Sequence, residues 1–198
     1  AQQIGASGAT GNARYGDAAT VGAGLPLLRS IRALVAGGDH VHAIEGVLSG
    51  SLAWLFDRYD GSQPFSACVR EAAAAGYTEP DPRIDLSGED VRRKLLILAR
   101  AAGVPLDADQ IKVDSLVPAA LASLSADEVD GALSLLDAPL AEQLQQARTQ
   151  GLKLCFVGRL DAQGASVGLR ALPQGHALAG GSGTEYRLQT RESSAWYD

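Results

Sequence analysis

The sequence predicts an α+β domain in which helices cover a mixed, partly antiparallel sheet. Up to Thr149 the apolar residues recur mostly at helical spacing, and after Gly151 the period falls to two. Helices gathered in one half of a chain and hairpin strands in the other indicate α+β rather than alternating βαβ units. The 198 residues, 46% of them apolar and 20% charged, are enough to bury a full core.

Up to Gly24 the chain is rich in Gly, Ala, Ser and Thr without a period, so residues 1–18 read as a flexible linker and 19–198 as the domain. Pro26 starts a helix carrying Leu27, Leu28, Ile31, Leu34 and Val35, which ends before Gly37 and Gly38. Residues 40–49 alternate around Val41, Ala43, Ile44, Val47 and Leu48, as a largely buried strand does. Ser49, Gly50 and Ser51 turn into a short helix with Leu52, Trp54, Leu55 and Phe56, and residues 65–75 form another, stopped by Gly76. Pro80 and Pro82 hold residues 77–83 extended and fix their side-chain directions. Ser87 caps the next helix, which opens on Glu89 and Asp90 and runs to Ala102. Helical patterns follow over residues 126–136 and 140–149. Leu154, Phe156 and Val157, a turn over residues 161–164, and Val167, Leu169 and Ala171 make a hairpin; residues 184–190 make a last strand.

Composition excludes several function classes. The net charge is −6 with no Lys/Arg cluster, which argues against nucleic acid and anionic membrane as partners. No apolar run approaches the roughly 18 residues of a membrane helix. Cys68 and Cys155 lie far apart in apolar surroundings, so neither a disulfide framework nor a thiolate metal site underlies the fold, and reduced thiols in a cytoplasmic protein are expected. The chain starts at Ala1 and contains no methionine, the mark of a piece of a longer protein.

Candidate chemistry concentrates between Tyr77 and Lys94. Asp90 and Lys94 are one helical turn apart and share a face, with Val91, Ile97 and Leu98 placing the lysine beside the apolar stripe. Such a pair is either a proton-transfer device or an ordinary surface ion pair. The stiff segment upstream carries Glu79, Asp81, Arg83 and Asp85. Gly5, Gly8 and Gly11 imitate a dinucleotide turn but lack the strand before and the periodic helix after. Val21-Gly-Ala-Gly24, in front of a helix, is either a tight turn or a site for an ion. His40, His42 and His176 have no zinc spacing, and His40 and His42, on the same side of one strand, read as exposed strand-entry residues.

Four segments in order, residues 19–26, 44–52, 76–83 and 86–100, resemble homoserine dehydrogenase. They include Ala-Thr-Val-Gly-Ala-Gly-Leu-Pro, Ile-Glu-Gly-Val-Leu-Ser-Gly-Ser-Leu and Gly-Tyr-Thr-Glu-Pro-Asp-Pro-Arg. The resemblance is dense from Ala19 to Val104 and continues beyond as element order. It implies interconversion of L-homoserine and L-aspartate 4-semialdehyde with NADP or NAD, in threonine, methionine and isoleucine biosynthesis. The family's substrate pocket falls on Gly50, Ser51, Tyr77, Glu79 and Asp85, and its helix-borne catalytic pair on Asp90 and Lys94. A monovalent cation held by backbone carbonyls falls on Val21, Ala23 and Leu25; Ala18 stands where the family has an acidic ligand, with Asp17 one residue early. Ile84 replaces a second acid that commonly follows the loop arginine.

The resemblance further implies that residues 19–198 are the substrate-binding, catalytic and dimerisation domain of a two-domain dehydrogenase, truncated at its C-terminus. The nucleotide-binding domain, which mainly holds the cofactor, is then absent, the assembly is a homodimer, and in some relatives an aspartate kinase precedes the region. Two rival readings remain. One is a non-catalytic dimerisation or regulatory module on the same scaffold, which would need none of Glu79, Asp90 and Lys94. The other is a semialdehyde reductase whose cofactor loop is the Gly5 to Gly11 cluster.

Overall fold

Proline and apolar spacing set the first element: α1 (Leu27–Ala36) follows Pro26 and buries Leu27, Leu28 and Ile31. The structure, a computed structural model, describes residues 16–180, 185–190 and 194–197. Strand β1 (Val41–Val47) leads into α2 (Gly50–Arg58), and α3 (Phe65–Ala74) follows. A single turn, α4 (Arg83–Leu86), precedes α5 (Glu89–Ala101). Strand β2 (Ile111–Val113), the turns α6 (Ala119–Ala122) and α7 (Val129–Ala132), and helix α8 (Asp137–Thr149) come next. The hairpin β3 (Leu152–Asp161) and β4 (Gly164–Pro173), the turn α9 (Ala177–Gly180), and strands β5 (Glu185–Thr190) and β6 (Ser194–Tyr197) complete it.

The strands form one mixed sheet in the order β2-β4-β3-β1-β5-β6. All neighbours are antiparallel except β2 and β4, which run parallel with Ile111 opposite Ala165. On the inner face Leu154, Phe156 and Leu160 of β3, Ile44 of β1 and Val167 of β4 join one core with α2, α3, α5 and α8. Alternation puts Cys155 and Val157 on the outer face, where Leu178 and Ala179 of α9 pack against them and Val47. Both cysteines are buried free thiols, and burial pushes the Cys68 thiol up from its ordinary value.

Helix α5 lies on β3, β1 and β4. Its stripe Val91, Leu95, Leu98 and Ala99 is at most 1% exposed. Each large member contributes roughly 1.5–3 kcal/mol on burial, against a few tenths for a surface ion pair on the same helix. Packing therefore fixes the direction of the polar side chains of α5. Close approach is permitted by Gly158, where a Cβ would stand 3.1 Å from Leu48 Cδ1 and 3.2 Å from Val91 Cγ1.

The structure corrects several expectations. Residues 77–83 are not extended throughout: Pro82, at φ −64° and ψ −16°, is already right-handed and opens α4, which carries Asp85. A fixed proline φ starts a helix as readily as it ends one. Gly88, not Ser87, occupies the N-cap of α5, although the Ser87 hydroxyl still accepts from Glu89 N at 3.2 Å. The helix expected over residues 126–136 splits into α7 and a 3-10 turn, Leu133–Leu136, and α8 begins earlier than its apolar pattern, at Asp137. Strands β2 and β6 were not anticipated. Most of the linker at residues 1–18, including the Gly5 to Gly11 cluster, lies outside the described residues. Among those described, no helix is long and apolar enough to cross a membrane.

Candidate functional site

The site is assembled at the junction between β1 and α2. Ser49 leaves the strand at φ −126° and ψ 120°, and its hydroxyl caps α2 by accepting from Leu52 N at 3.3 Å. The same hydroxyl lies 2.9 Å from that of Ser51. Ser51 donates to Asp85 Oδ1 at 2.7 Å, and Asp85 Oδ2 accepts from Glu79 N at 2.8 Å. One carboxylate thus ties the loop to the helix. Gly50, between the two serines, is exposed, and a Cβ there would meet nothing within 4 Å.

Lys94 reaches the other end of this junction. Its Nζ donates to Leu48 O at 2.9 Å and pairs with Asp90 Oδ2 at 2.7 Å, with side-chain exposures of 26% and 50%. An ammonium has three donors, so one stays open for a further acceptor. Lys94 of α5 and Asp85 of α4 therefore hold the two ends of the segment 48–51, through Leu48 O and the Ser51 hydroxyl.

The loop acids differ in what engages them. Asp81 takes the Arg83 guanidinium at 3.0 and 2.7 Å, and this hydrogen-bonded cation holds its carboxyl below the usual carboxylate range. Arg83 also donates to the carbonyls of Leu121 and Leu124, at 3.2 and 2.7 Å, which fastens the loop to α6. Asp85 and Asp90 are engaged as described. Glu79 is exposed, and its carboxylate takes no hydrogen bond or ion pair among the described residues. The Tyr77 ring, 53% exposed, stacks on Trp54 of α2 with centroids 5.0 Å apart.

These observations bear on the expected site residues one by one. Ser51, Asp85 and the backbone of Glu79 are joined directly; Lys94 and Asp90 reach the same junction; Gly50 faces open space; Tyr77 is drawn onto α2 rather than standing free. Ser49, the Leu48 carbonyl and Trp54 were not singled out by sequence reasoning, and a serine on either side of Gly50 was the available signal for the first.

The turn around Val21, Ala23 and Leu25 has Ala23 at φ 48° and Leu25 N donating to Gly22 O at 2.9 Å. Asp17 is spent on Arg32, at 2.8 and 2.5 Å, which lowers its carboxyl below the usual range, and Ala18 has no oxygen to offer. Neither side chain is thus free to complete a cation site at this turn. At the turn from β1 into α2 the third helical amide, Leu52 N, is taken by the Ser49 hydroxyl.

A sequence model of the family described as homoserine dehydrogenase matches residues 26–195. The chain belongs to the homoserine dehydrogenase family. It is 48% identical over 162 residues to the bifunctional aspartokinase/homoserine dehydrogenase 2 of Escherichia coli, covering 81% of this chain and 20% of that protein. It is 40% identical to the homoserine dehydrogenase of Saccharomyces cerevisiae, covering 84% of this chain and 49% of the yeast one. The fold matches the crystal structure of a putative homoserine dehydrogenase from Archaeoglobus fulgidus with a TM-score of 0.72 at 22% identity, over 90% of this chain and 50% of that one. The chain therefore spans about half the length of the fungal family members and a fifth of the bifunctional ones. The region of homoserine dehydrogenase matched here includes every residue of the junction between β1, α2, the loop and α5.

Proposed function

We propose that this chain is the substrate-binding and proton-transfer region of a homoserine dehydrogenase that interconverts L-homoserine and L-aspartate 4-semialdehyde. One observation carries the reading: Glu79 is the one acid of residues 77–85 left unengaged among the described residues, on a segment tied through Asp85 and Ser51 to the turn whose Leu48 carbonyl takes Lys94. An unpaired carboxylate on a tied backbone is what an α-ammonium group needs. The hydroxyl of the same amino acid then has Lys94 as its proton partner.

Oxidation removes a hydride from the carbon and a proton from the hydroxyl. A nicotinamide cofactor, NADP or NAD, supplies the hydride acceptor in this reading, and the described residues bind the amino acid and carry the proton. Lys94 in its amine form takes the hydroxyl proton; in the reducing direction its ammonium returns it to the forming alkoxide. Asp90 and Leu48 O hold the nitrogen in place, and Ser51, Gly50, Asp85 and Tyr77 border the substrate. The product's place is amino-acid biosynthesis.

Glu79→Gln in the full-length enzyme tests this. The KM for homoserine is expected to rise about tenfold or more while kcat changes little, since the lost charge served binding in ground and transition states alike. An unchanged KM removes Glu79 from ammonium recognition. The same reading includes a homodimer built on this region. Light scattering of the isolated chain at micromolar concentration should then give about twice its 20.5 kDa mass, and a monomer mass contradicts it.

A further inference from the structure

The segment from Tyr77 to Asp85 is clamped at both ends by one helix. Ser51 holds Asp85 through a 2.7 Å hydrogen bond, and Trp54 holds Tyr77 by ring stacking at 5.0 Å with 22° between the planes. Ser51 and Trp54 are three residues apart on α2 and so share a face. Glu79 lies between the two clamps, its amide on Asp85 and its carboxylate unengaged. Beyond Glu79 the segment is also tied at Asp81, whose partner Arg83 reaches Leu121 O and Leu124 O; on the Tyr77 side fewer contacts hold it. Tyr77 N donates to Ala72 O at 2.9 Å, and the Thr78 hydroxyl is buried without a partner.

Trp54 is itself steadied. The Arg58 guanidinium, one turn on, stands 5.3 Å from the indole centroid and pairs with Glu71 of α3 at 2.6 Å. Tyr77 is half exposed, so a free tyrosine here would sample several rotamers. The indole gives the ring one stacked position, and with it the backbone next to Glu79.

We propose that Trp54 is a positioning residue for recognition of the substrate's ammonium: by stacking Tyr77 it sets where the Glu79 carboxylate stands. The assignment rests on the function proposed above. Trp54 touches no reacting atom in this account, and its effect is confined to binding of the amino acid.

The test uses the full-length enzyme with Trp54→Leu, Trp54→Phe and, as reference, Glu79→Gln. Homoserine is varied at saturating cofactor, and its dissociation constant is measured by calorimetry. Trp54→Leu, which fills space without stacking, should raise KM and the dissociation constant about three- to tenfold with kcat within about twofold; Trp54→Phe, which stacks, should restore most of the affinity. Should the leucine variant not fold, Trp54→Met carries the same expectation. A native KM in Trp54→Leu beside a raised KM in Glu79→Gln overturns the role of Trp54 alone. A fall in kcat at unchanged KM also overturns it. A native KM in Glu79→Gln overturns both this inference and the reading beneath it.

Discussion

Replacing Lys94 by alanine in the full-length enzyme should lower kcat for homoserine oxidation by about 100-fold or more, with either NADP or NAD as acceptor. The expectation follows from placement. Buried Val91, Leu95 and Leu98 fix α5, so the Lys94 nitrogen is held at Leu48 O and Asp90 Oδ2 by packing rather than by chance of rotamer. Alanine leaves that packing intact but removes the proton carrier, its ion pair with Asp90 and its hydrogen bond to Leu48 O, so the fold should survive with homoserine affinity little changed. Stability should fall by about 1–2 kcal/mol, most of it from the hydrogen bond to the buried Leu48 carbonyl. A Lys94→Ala enzyme with near-native kcat excludes the lysine from the chemistry.

Gly88→Ala should be strongly damaging, costing about 2–4 kcal/mol in denaturant unfolding of this chain. Two penalties add. The residue sits at φ +76°, where a Cβ is strained, and the added carbon would stand 2.8 Å from Phe156 Cζ. The Phe156 ring is 1% exposed in the core on β3, so it has nowhere to go. Because Gly88 is the N-cap of α5, a shift to relieve the clash also displaces Asp90 and Lys94. Phe156→Leu in the Gly88→Ala background should recover part of the loss, the backbone strain remaining. Unfolding free energy unchanged by Gly88→Ala contradicts the close approach.

Much of this was legible because local signals agreed. The hairpin of β3 and β4 follows from period-two alternation around the turn at residues 161–164, and α5 from acidic residues ahead of an apolar stripe. Asp90 and Lys94 were visible as a pair because helix geometry alone brings i and i+4 together. What escaped depends on contacts distant in sequence. The Ser51–Asp85 and Trp54–Tyr77 links exist only once α2 and the loop have packed, and no spacing rule encodes them. Strand β2 is three residues long, too short for a period, and earns its place by pairing with β4. Helix α8 opens at Asp137, ahead of its apolar pattern, where the carboxylate accepts from Ser66 N and Oγ at 2.7 and 2.9 Å in the first turn of α3, a contact 71 residues away in sequence. The five acids of residues 79–90 look equivalent in sequence; partners, seen only in three dimensions, single out Glu79.

The central claim is that Glu79 takes the amino group and Lys94 the hydroxyl of one bound amino acid. A crystal structure of the full-length enzyme with homoserine tests it most directly. The account predicts the ammonium on the Glu79 carboxylate and the hydroxyl oxygen about 3 Å from Lys94 Nζ, beside Gly50 and Ser51. Homoserine bound elsewhere, with Glu79 still in solvent and Lys94 touching only Asp90 and Leu48 O, contradicts it.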